Sequence, residues 1–367
     1  MTLEQICFLL SFMMLSATEI KAAVTLAAKD AGFELVGVAP VDDSPELEYF
    51  PRWIAEGHAG EMKYLEARDE QGRLKRASLA HAAPWARSVV VCALNYNTAQ
   101  PYSTQVTDAE RGWISRYAWS QQDYHDSVMP RLRRVEAALR SACGSDELTT
   151  RCYVDTGPIV ERVAAKYAGV GWIWKNTCII NQKVGSWMFL GVILTSLELA
   201  PDLPAPDRCG SCTRCIDACP TDAFVAPYQL DSNKCIAYLT IEKRGALPED
   251  DELRSGMGRH VFGCDICQDV CPWNRKAPAT NAADLQPRNE LVNPALDWLA
   301  EISEEDFRRT FRGSPVRRAK RSGIRRNAVI AMGNSGDRKF IPLLEKLASD
   351  EDAVVAESAT WAIRKRG

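Results

Sequence analysis

The chain has 367 residues, 46% of them hydrophobic and 25% charged, with a formal net charge of −3. That length supports two or three domains, each with a core of its own. The composition argues for a soluble globular protein, and the near-even charge excludes any overall pull towards nucleic acid, so charge has to be read locally.

The first apolar run, Ile6–Ala17 (ICFLLSFMMLSA), is too short for a membrane-spanning helix, which requires about 20 residues. Only Glu4 precedes it among charged residues and no small-residue cleavage site follows, so a secretory signal is disfavoured. A packed helix or an upstream-start artefact is the better reading, ahead of a helix-like segment over Glu19–Gly32. Ser88–Leu94 (SVVVCAL) is predicted as a buried strand. Arg151–Asp155 (RCYVD) is predicted as another, followed by the turn Thr156-Gly157-Pro158 and a helix-like stretch to Ala168. Strands alternating with helices in this way suggest an α/β or α+β sandwich.

From Gly169 the chain runs GVGWIWKNTCIIN, which fails as a dinucleotide fingerprint because Trp174 stands where a third glycine is needed and a helical segment precedes it. No Walker loop and no Gly-x-Ser-x-Gly elbow is present. His58, His81, His125 and His260 are scattered. Asp123-Tyr124-His125 opens like the Asp-x-His-x-x-Gly signature of proteins that ligate cobalamin cobalt through histidine, but Val128 fills the glycine position. Any corrinoid here is therefore expected to lack a histidine ligand.

Thirteen cysteines are a heavy load in a chain without an export signal, where a disulfide framework is not expected. Cys209, Cys212, Cys215 and Cys219-Pro220 form C-x2-C-x2-C-x3-C-P. Three thiolates at two-residue gaps suit one Fe-S cube, and the fourth points to a second. A split copy follows in Cys264, Cys267 and Cys271-Pro272, with Cys235 ahead of it after a gap of 28 residues. The crossed wiring of two-cluster ferredoxins then predicts two 4Fe-4S clusters, one on Cys209, Cys212, Cys215 and Cys271, the other on Cys219, Cys235, Cys264 and Cys267. A zinc ribbon is the bland alternative, but the crowded triad and the two Cys-Pro closures argue against it. Cys7, Cys92, Cys143, Cys152 and Cys178 share no spacing and are read as core thiols. Reduced thiols and cluster chemistry predict a cytoplasmic protein.

Phe307–Arg326 (FRRTFRGSPVRRAKRSGIRR) carries nine basic residues and no acidic one, an electrostatic footprint for phosphate. The bland reading is a solvated helix face or a membrane patch. Asn327-Ala328 with Ala331-Met332 is echoed by Ser358-Ala359 with Ala362-Ile363, 31 residues on, with Asn334–Asp337 as the turn between helices. One or two HEAT-like helical pairs account for this echo.

Several long motifs in one order carry a resemblance: VDTGPIVER, GWIWKNTCIIN, SWMFLGVILTSLEL, CGSCTRCIDACPTDAF, KCIAYLTIEKRG and GCDICQDVCPWN. With them, and over nearly its whole length, the chain resembles epoxyqueuosine reductase, the cobalamin-dependent Fe-S enzyme that completes queuosine in transfer RNA. The resemblance implies an α+β protein: a nitroreductase-like cobalamin-binding core over residues 1–200, a ferredoxin-like two-cluster module over 201–280, and a HEAT-like helical tRNA-binding region over 281–367. It implies that the clusters deliver single electrons to base-off cobalamin, giving Co(I), which engages the epoxide while Asp155 protonates the departing oxygen. Asp155, Arg162, Asn176, Ile179, Ser186, Trp187 and Leu190 fall in the stretches that it assigns to the corrinoid pocket. Arg317, Arg318, Lys320 and Arg321 become the expected contacts to the anticodon stem-loop, whose modified base has to be extruded into the site. The partners implied are tRNA and an external electron donor, for a monomer that does not engage a membrane.

Two departures from the family pattern stand out. Trp174 replaces a glycine, which predicts an altered approach of that loop to the corrin, and the AWSQQ link of Ala118–Gln122 is longer than usual. Two rival functions remain open. A cobalamin-dependent reductive dehalogenase would leave the basic tail unexplained, and the members known as similar carry a twin-arginine export signal, whereas no arginine precedes Arg52 here. A non-enzymatic Fe-S electron carrier would bind no corrinoid.

Overall fold

The computed structural model describes residues 15–365; Cys7 and most of the Ile6–Ala17 run lie outside them. Helix α1, Ala17–Asp30, opens on a capping box in which the Ser16 side chain accepts from the Glu19 N–H and the Glu19 carboxylate accepts from Ser16 N–H. It leads into β1 (Leu35–Pro40), which starts a four-stranded antiparallel sheet with β2 (Ser88–Asn95), β3 (Thr150–Tyr153) and β4 (Met188–Thr195), in the spatial order β1-β2-β4-β3.

Strand β2 reads as an unbroken apolar run because both faces of the sheet are covered. Val90, Cys92 and Leu94 face α1 and the long helix α2, Tyr124–Cys143, through Val24, Ala28, Val128 and Leu132. Val89, Val91 and Ala93 face the opposite way, onto the short helix α3, Glu161–Tyr167, through Ala164 and Ala165. Alternation of side chains along a strand thus feeds two cores at once. At Gly37 a Cβ would lie 1.9 Å from the Ala168 carbonyl oxygen, so only glycine lets β1 approach the end of α3. Cys92 and Cys152 are buried in the first of these cores, as expected of structural thiols.

The cysteine-rich segment is mostly loops and single helical turns, with Arg214–Asp217 packed against Ile266–Asp269. It is fastened to the first half of the chain by the parallel pairing of His260–Phe262 with Trp113–Ile114. Buried Asp265 completes the joint by accepting from Trp113 Nε1 at 3.0 Å, Ser115 Oγ at 2.6 Å and Arg116 N–H at 2.8 Å.

Helices α4 (Lys320–Ser335) and α5 (Ala353–Arg364) pack with the repeated residues at their contact. Asn327, Ala328, Ala331, Ser358, Ala359 and Ala362 are all buried, and a Cβ on Gly333 would meet Ala362 at 2.9 Å. Helix α4 ends at Gly336, in the left-handed conformation with φ 75°, and the short helix Ile341–Leu347 lies between it and α5. One continuous core joins Trp113, Ile114 and Trp119 to Ile236–Phe262 and to the last helices as far as Ala362. The three regions read from the sequence therefore share packing across their boundaries. Among the described residues no helix is long and apolar enough to cross a membrane.

Candidate active site and cluster centre

A cavity of about 1320 Å³ opens between the sheet, the cysteine-rich segment and the basic tail. Its floor comes from Ile179 and from Met188, Phe189 and Leu190 at the start of β4. Asp155 stands on one wall. It follows β3 in the left-handed region, φ 58°, a conformation that aspartate tolerates better than most residues. Gly157 beneath it is required sterically, since a Cβ there would lie 2.6 Å from the Tyr153 ring. Arg76 Nη2 donates to the Gly157 carbonyl at 2.9 Å and ties the turn down.

The exposed Asp155 carboxylate accepts from Tyr124 Oη at 2.8 Å. Tyr124 is the second residue of the Asp123-Tyr124-His125 motif, and its ring stacks on Phe189 at 4.7 Å. His125 Nδ1 lies 2.6 Å from Asp123 Oδ1, and that hydrogen bond raises the imidazole above its ordinary value. Arg162 Nη1 donates to the Thr177 carbonyl at 2.8 Å, holding the loop that carries Cys178 and Ile179.

Of the residues named from the sequence, Asp155, Arg162, Ile179, Ser186 and Leu190 line this cavity together with Arg317, Arg318, Lys320 and Arg321. Asn176 and Trp187 do not. Trp187 is fully buried beside Arg116, whose guanidinium lies 5.1 Å from its ring, and Asn176 caps the loop by accepting from Cys178 N–H. Trp174 is also turned away from the cavity and packs on Cys209, Cys215 and Cys271, so it changes the cluster surroundings rather than the cavity wall. Sequence reasoning missed Glu161, Tyr64 and Cys178, which all line the cavity. Cys178 had been set among the core thiols; its place beside the Asn176 turn carries no periodic signal.

The nine basic residues split into two groups. Arg325 and Arg326 point inward: Arg325 pairs with Asp350 at 2.5 Å, and Arg326 donates to the carbonyls of Leu239, Lys243 and Gly245. Arg308 and Arg309 pair on the surface with Glu304 and Asp306, and Arg318 with Glu242. The local excess of positive charge is thus smaller than the sequence count, and Arg312, Arg317 and Lys320 make no ion pair among the described residues.

The eight thiols of the two motifs, with Cys178, gather in two groups. Cys215 and Cys271 interact with each other and with Cys209, and Cys215 also with Cys212. Cys264 and Cys267 interact with each other and with Cys235, Cys219 interacts with both Cys235 and Cys264, and Cys178 joins this group through a hydrogen bond with Cys267 and an interaction with Cys235. Burial pushes the Cys215 thiol up to about 11 and Cys271 to about 12. Among the described residues no three His, Cys, Asp or Glu side chains close on one point as ligands of a single ion do. Trp172 and Trp174 pack on the first group with buried indole N–H groups; that of Trp172 is directed at the Cys209 sulfur, and that of Trp174 has no acceptor among the described residues.

Comparison with known proteins agrees with this arrangement. A family described as "4Fe-4S double cluster binding domain" matches residues 208–274, and one described as "Epoxyqueuosine reductase QueG" matches residues 76–156. The chain is 36% identical over 353 residues to the epoxyqueuosine reductase of Xanthomonas campestris, covering 95% of this chain and 97% of that one. It is 39% identical to that of Pseudomonas aeruginosa, covering 92% of each. Among solved structures, an epoxyqueuosine reductase with an epoxyqueuosine-modified tRNA-Tyr stem loop superimposes with a TM-score of 0.84 at 32% identity, covering 96% of this chain and 91% of that one. The Bacillus subtilis enzyme, solved with its catalytic loop swung out of the active site, gives 0.83 at 31% identity, covering 96% and 91%. The chain belongs to the epoxyqueuosine reductase family, whose members are oxidoreductases.

Proposed function

We propose that this protein reduces epoxyqueuosine to queuosine at the wobble position of tRNA, with Asp155 as proton donor, two 4Fe-4S clusters as the electron path and base-off cobalamin as the reducing cofactor. The observation that carries the reading is that Asp155 and the basic tail, Arg317, Arg318, Lys320 and Arg321, line one cavity from opposite parts of the chain. A structure of a relative with a tRNA stem loop supports RNA as the substrate.

The residues fit the cofactors. The eight motif thiols suit two cubes, and the buried indole N–H groups of Trp172, directed at Cys209, and of Trp174, without an acceptor among the described residues, would donate to ligand or cluster sulfur, since buried donors rarely go unpaired. The cavity exceeds the ~300–1,000 Å³ of ordinary ligand sites. Its apolar floor suits a corrin face, which Ile179, Ser186, Leu190 and Arg162 would hold. Bound there, a reduced corrinoid would supply the two electrons of the reduction. Asp155 then protonates the ring oxygen, which is a poor leaving group as an alkoxide. Tyr124 orients the Asp155 carboxyl, and the basic rim holds the RNA backbone so that the extruded base stays in place.

In this reading residues 1–200 form a nitroreductase-like core, 201–280 the ferredoxin-like module and 281–367 the HEAT-like RNA platform of a monomer served by an external electron donor. The test is conversion of epoxyqueuosine-containing tRNA by protein reconstituted with iron, sulfide and cobalamin under a chemical reductant. Asp155→Asn is expected to keep the cluster and corrinoid spectra and to lose at least ~10²-fold in turnover. Near-normal turnover would return Asp155 to a turn residue, and a protein that takes up no corrinoid would be an electron carrier.

A further inference from the structure

Reduction of an epoxide to an alkene consumes two electrons and two protons and releases one water. The first proton goes to the ring oxygen as the C–O bond opens, and the second lets that oxygen leave as water. Asp155 carries one proton at a time, so it has to be reloaded between the two events while RNA and corrinoid fill the cavity and restrict the entry of solvent.

Glu161 stands six residues beyond Asp155, at the first position of α3, and lines the same cavity. Its Oε1 is buried without a hydrogen-bond partner among the described residues. The charged groups that face it are Asp155 from the turn, Arg162 from its own helix and Arg76 from the turn Lys75–Ala77, and neither arginine pairs with it. Burial pushes its carboxyl up to about 7, against a hydrogen bond from its own backbone N–H and the two arginines, and the Asp155 charge pushes in the same direction as burial. A carboxyl with one buried oxygen unpartnered is costly as an anion and serves naturally as a neutral acid.

We infer that Glu161 is the internal store of the second proton, which it passes to Asp155. The inference rests on the reductase reading above. Protonated Glu161 and the Asp155 carboxylate become the Glu161 carboxylate and protonated Asp155; Asp155 then gives that proton to the leaving oxygen, and both carboxyls take up one proton each from solvent once product has left. The new anion on Asp155 is what draws the proton across, because two neighbouring carboxylates cannot both stay ionised cheaply.

The test uses the full-length reconstituted enzyme with a chemical reductant. Wild-type turnover is expected to fall as pH rises through about 7, where Glu161 loses its proton. Glu161→Gln should lower turnover roughly tenfold, short of the ~10² of the direct donor, and lose that pH limb. Glu161→Asp should restore it in part. Independently of activity, infrared spectra of the corrinoid-free protein should show a protonated-carboxyl C=O band that titrates about 7 and is missing in Glu161→Gln. The inference is overturned if Glu161→Gln keeps the wild-type pH profile or the band. It is equally overturned if that variant loses only corrinoid affinity and turns over normally at saturation. Failure of the wild type to reduce epoxyqueuosine RNA would instead sink the reductase reading, whatever the infrared result.

Discussion

Arg326 offers a test of the claim that the basic tail is two populations of side chain. It is 1% exposed, with Nη1 donating to the Lys243 and Gly245 carbonyls at 3.0 and 2.8 Å and Nη2 to the Leu239 carbonyl at 2.6 Å. Burial lowers its guanidinium to about 10, which leaves it charged at neutral pH. Arg326→Met keeps most of the aliphatic volume but strands four acceptors, the three carbonyls and the Asn327 Oδ1, each costing ~1–3 kcal/mol if unsatisfied. Removing a desolvated cation offsets part of that, so a net loss of about 3 kcal/mol is expected. With an unfolding entropy of about 2.1 cal/mol/K per residue, a chain of this length should drop about 4 °C in Tm. Arg317→Ala, exposed and without an ion pair among the described residues, should change stability by less than ~0.5 kcal/mol, under ~1 °C. Scanning calorimetry of the reconstituted proteins decides. Equal shifts for the two variants, or an Arg326→Met protein within ~1 °C of wild type, would refute the division.

Three more outcomes are expected. Replacing Arg317, Arg318, Lys320 and Arg321 by Ala should flatten the salt dependence of RNA affinity by ~0.7–0.9 in log-log slope per lost phosphate contact, measured by salt titration; coincident slopes would assign the RNA surface elsewhere. Wild-type protein should bind about eight irons and Cys212→Ala about four, by iron and acid-labile sulfide analysis, with stoichiometric zinc the contrary result. Trp174→Phe should lower the potential of the nearby cluster by about 40 mV, the equivalent of one ~1 kcal/mol hydrogen bond for a one-electron couple, in an EPR-monitored redox titration.

The cysteine motifs were legible because cluster ligation needs fixed gaps between thiols, whereas Cys178, which lies beside Cys267, follows no such spacing. Strand β2 was legible for a related reason, since its uniform apolar run has no other stable place than between two covered faces. The 31-residue echo also had a direct physical meaning, with both copies at one helix contact. The inward turn of Arg325 and Arg326 was not legible: their partners are backbone carbonyls some eighty residues away and Asp350, which no local pattern announces. Glu161 was hidden similarly, because its chemistry comes from desolvation by distant segments rather than from its neighbours in sequence. Trp187 read as a pocket residue through the resemblance, and Trp174 as a change in how that loop meets the corrin, yet both indoles are buried, where a ring of that size is more stably placed than on a wall.

The core that runs from Trp113 to Ala362 also sets an order of events during synthesis. The thiols Cys209, Cys215 and Cys271 pack with Trp172, Trp174 and Trp273, so everything that shelters the first group has been made by residue 273. Cys235 and Cys264 instead pack against the core completed by Phe340, Val355, Ala359 and Ala362. At ~5–20 residues per second the ribosome separates these two moments by roughly 5–20 seconds. One nest for iron and sulfide can thus close on the growing chain, while the other stays ajar until the last helix has been delivered.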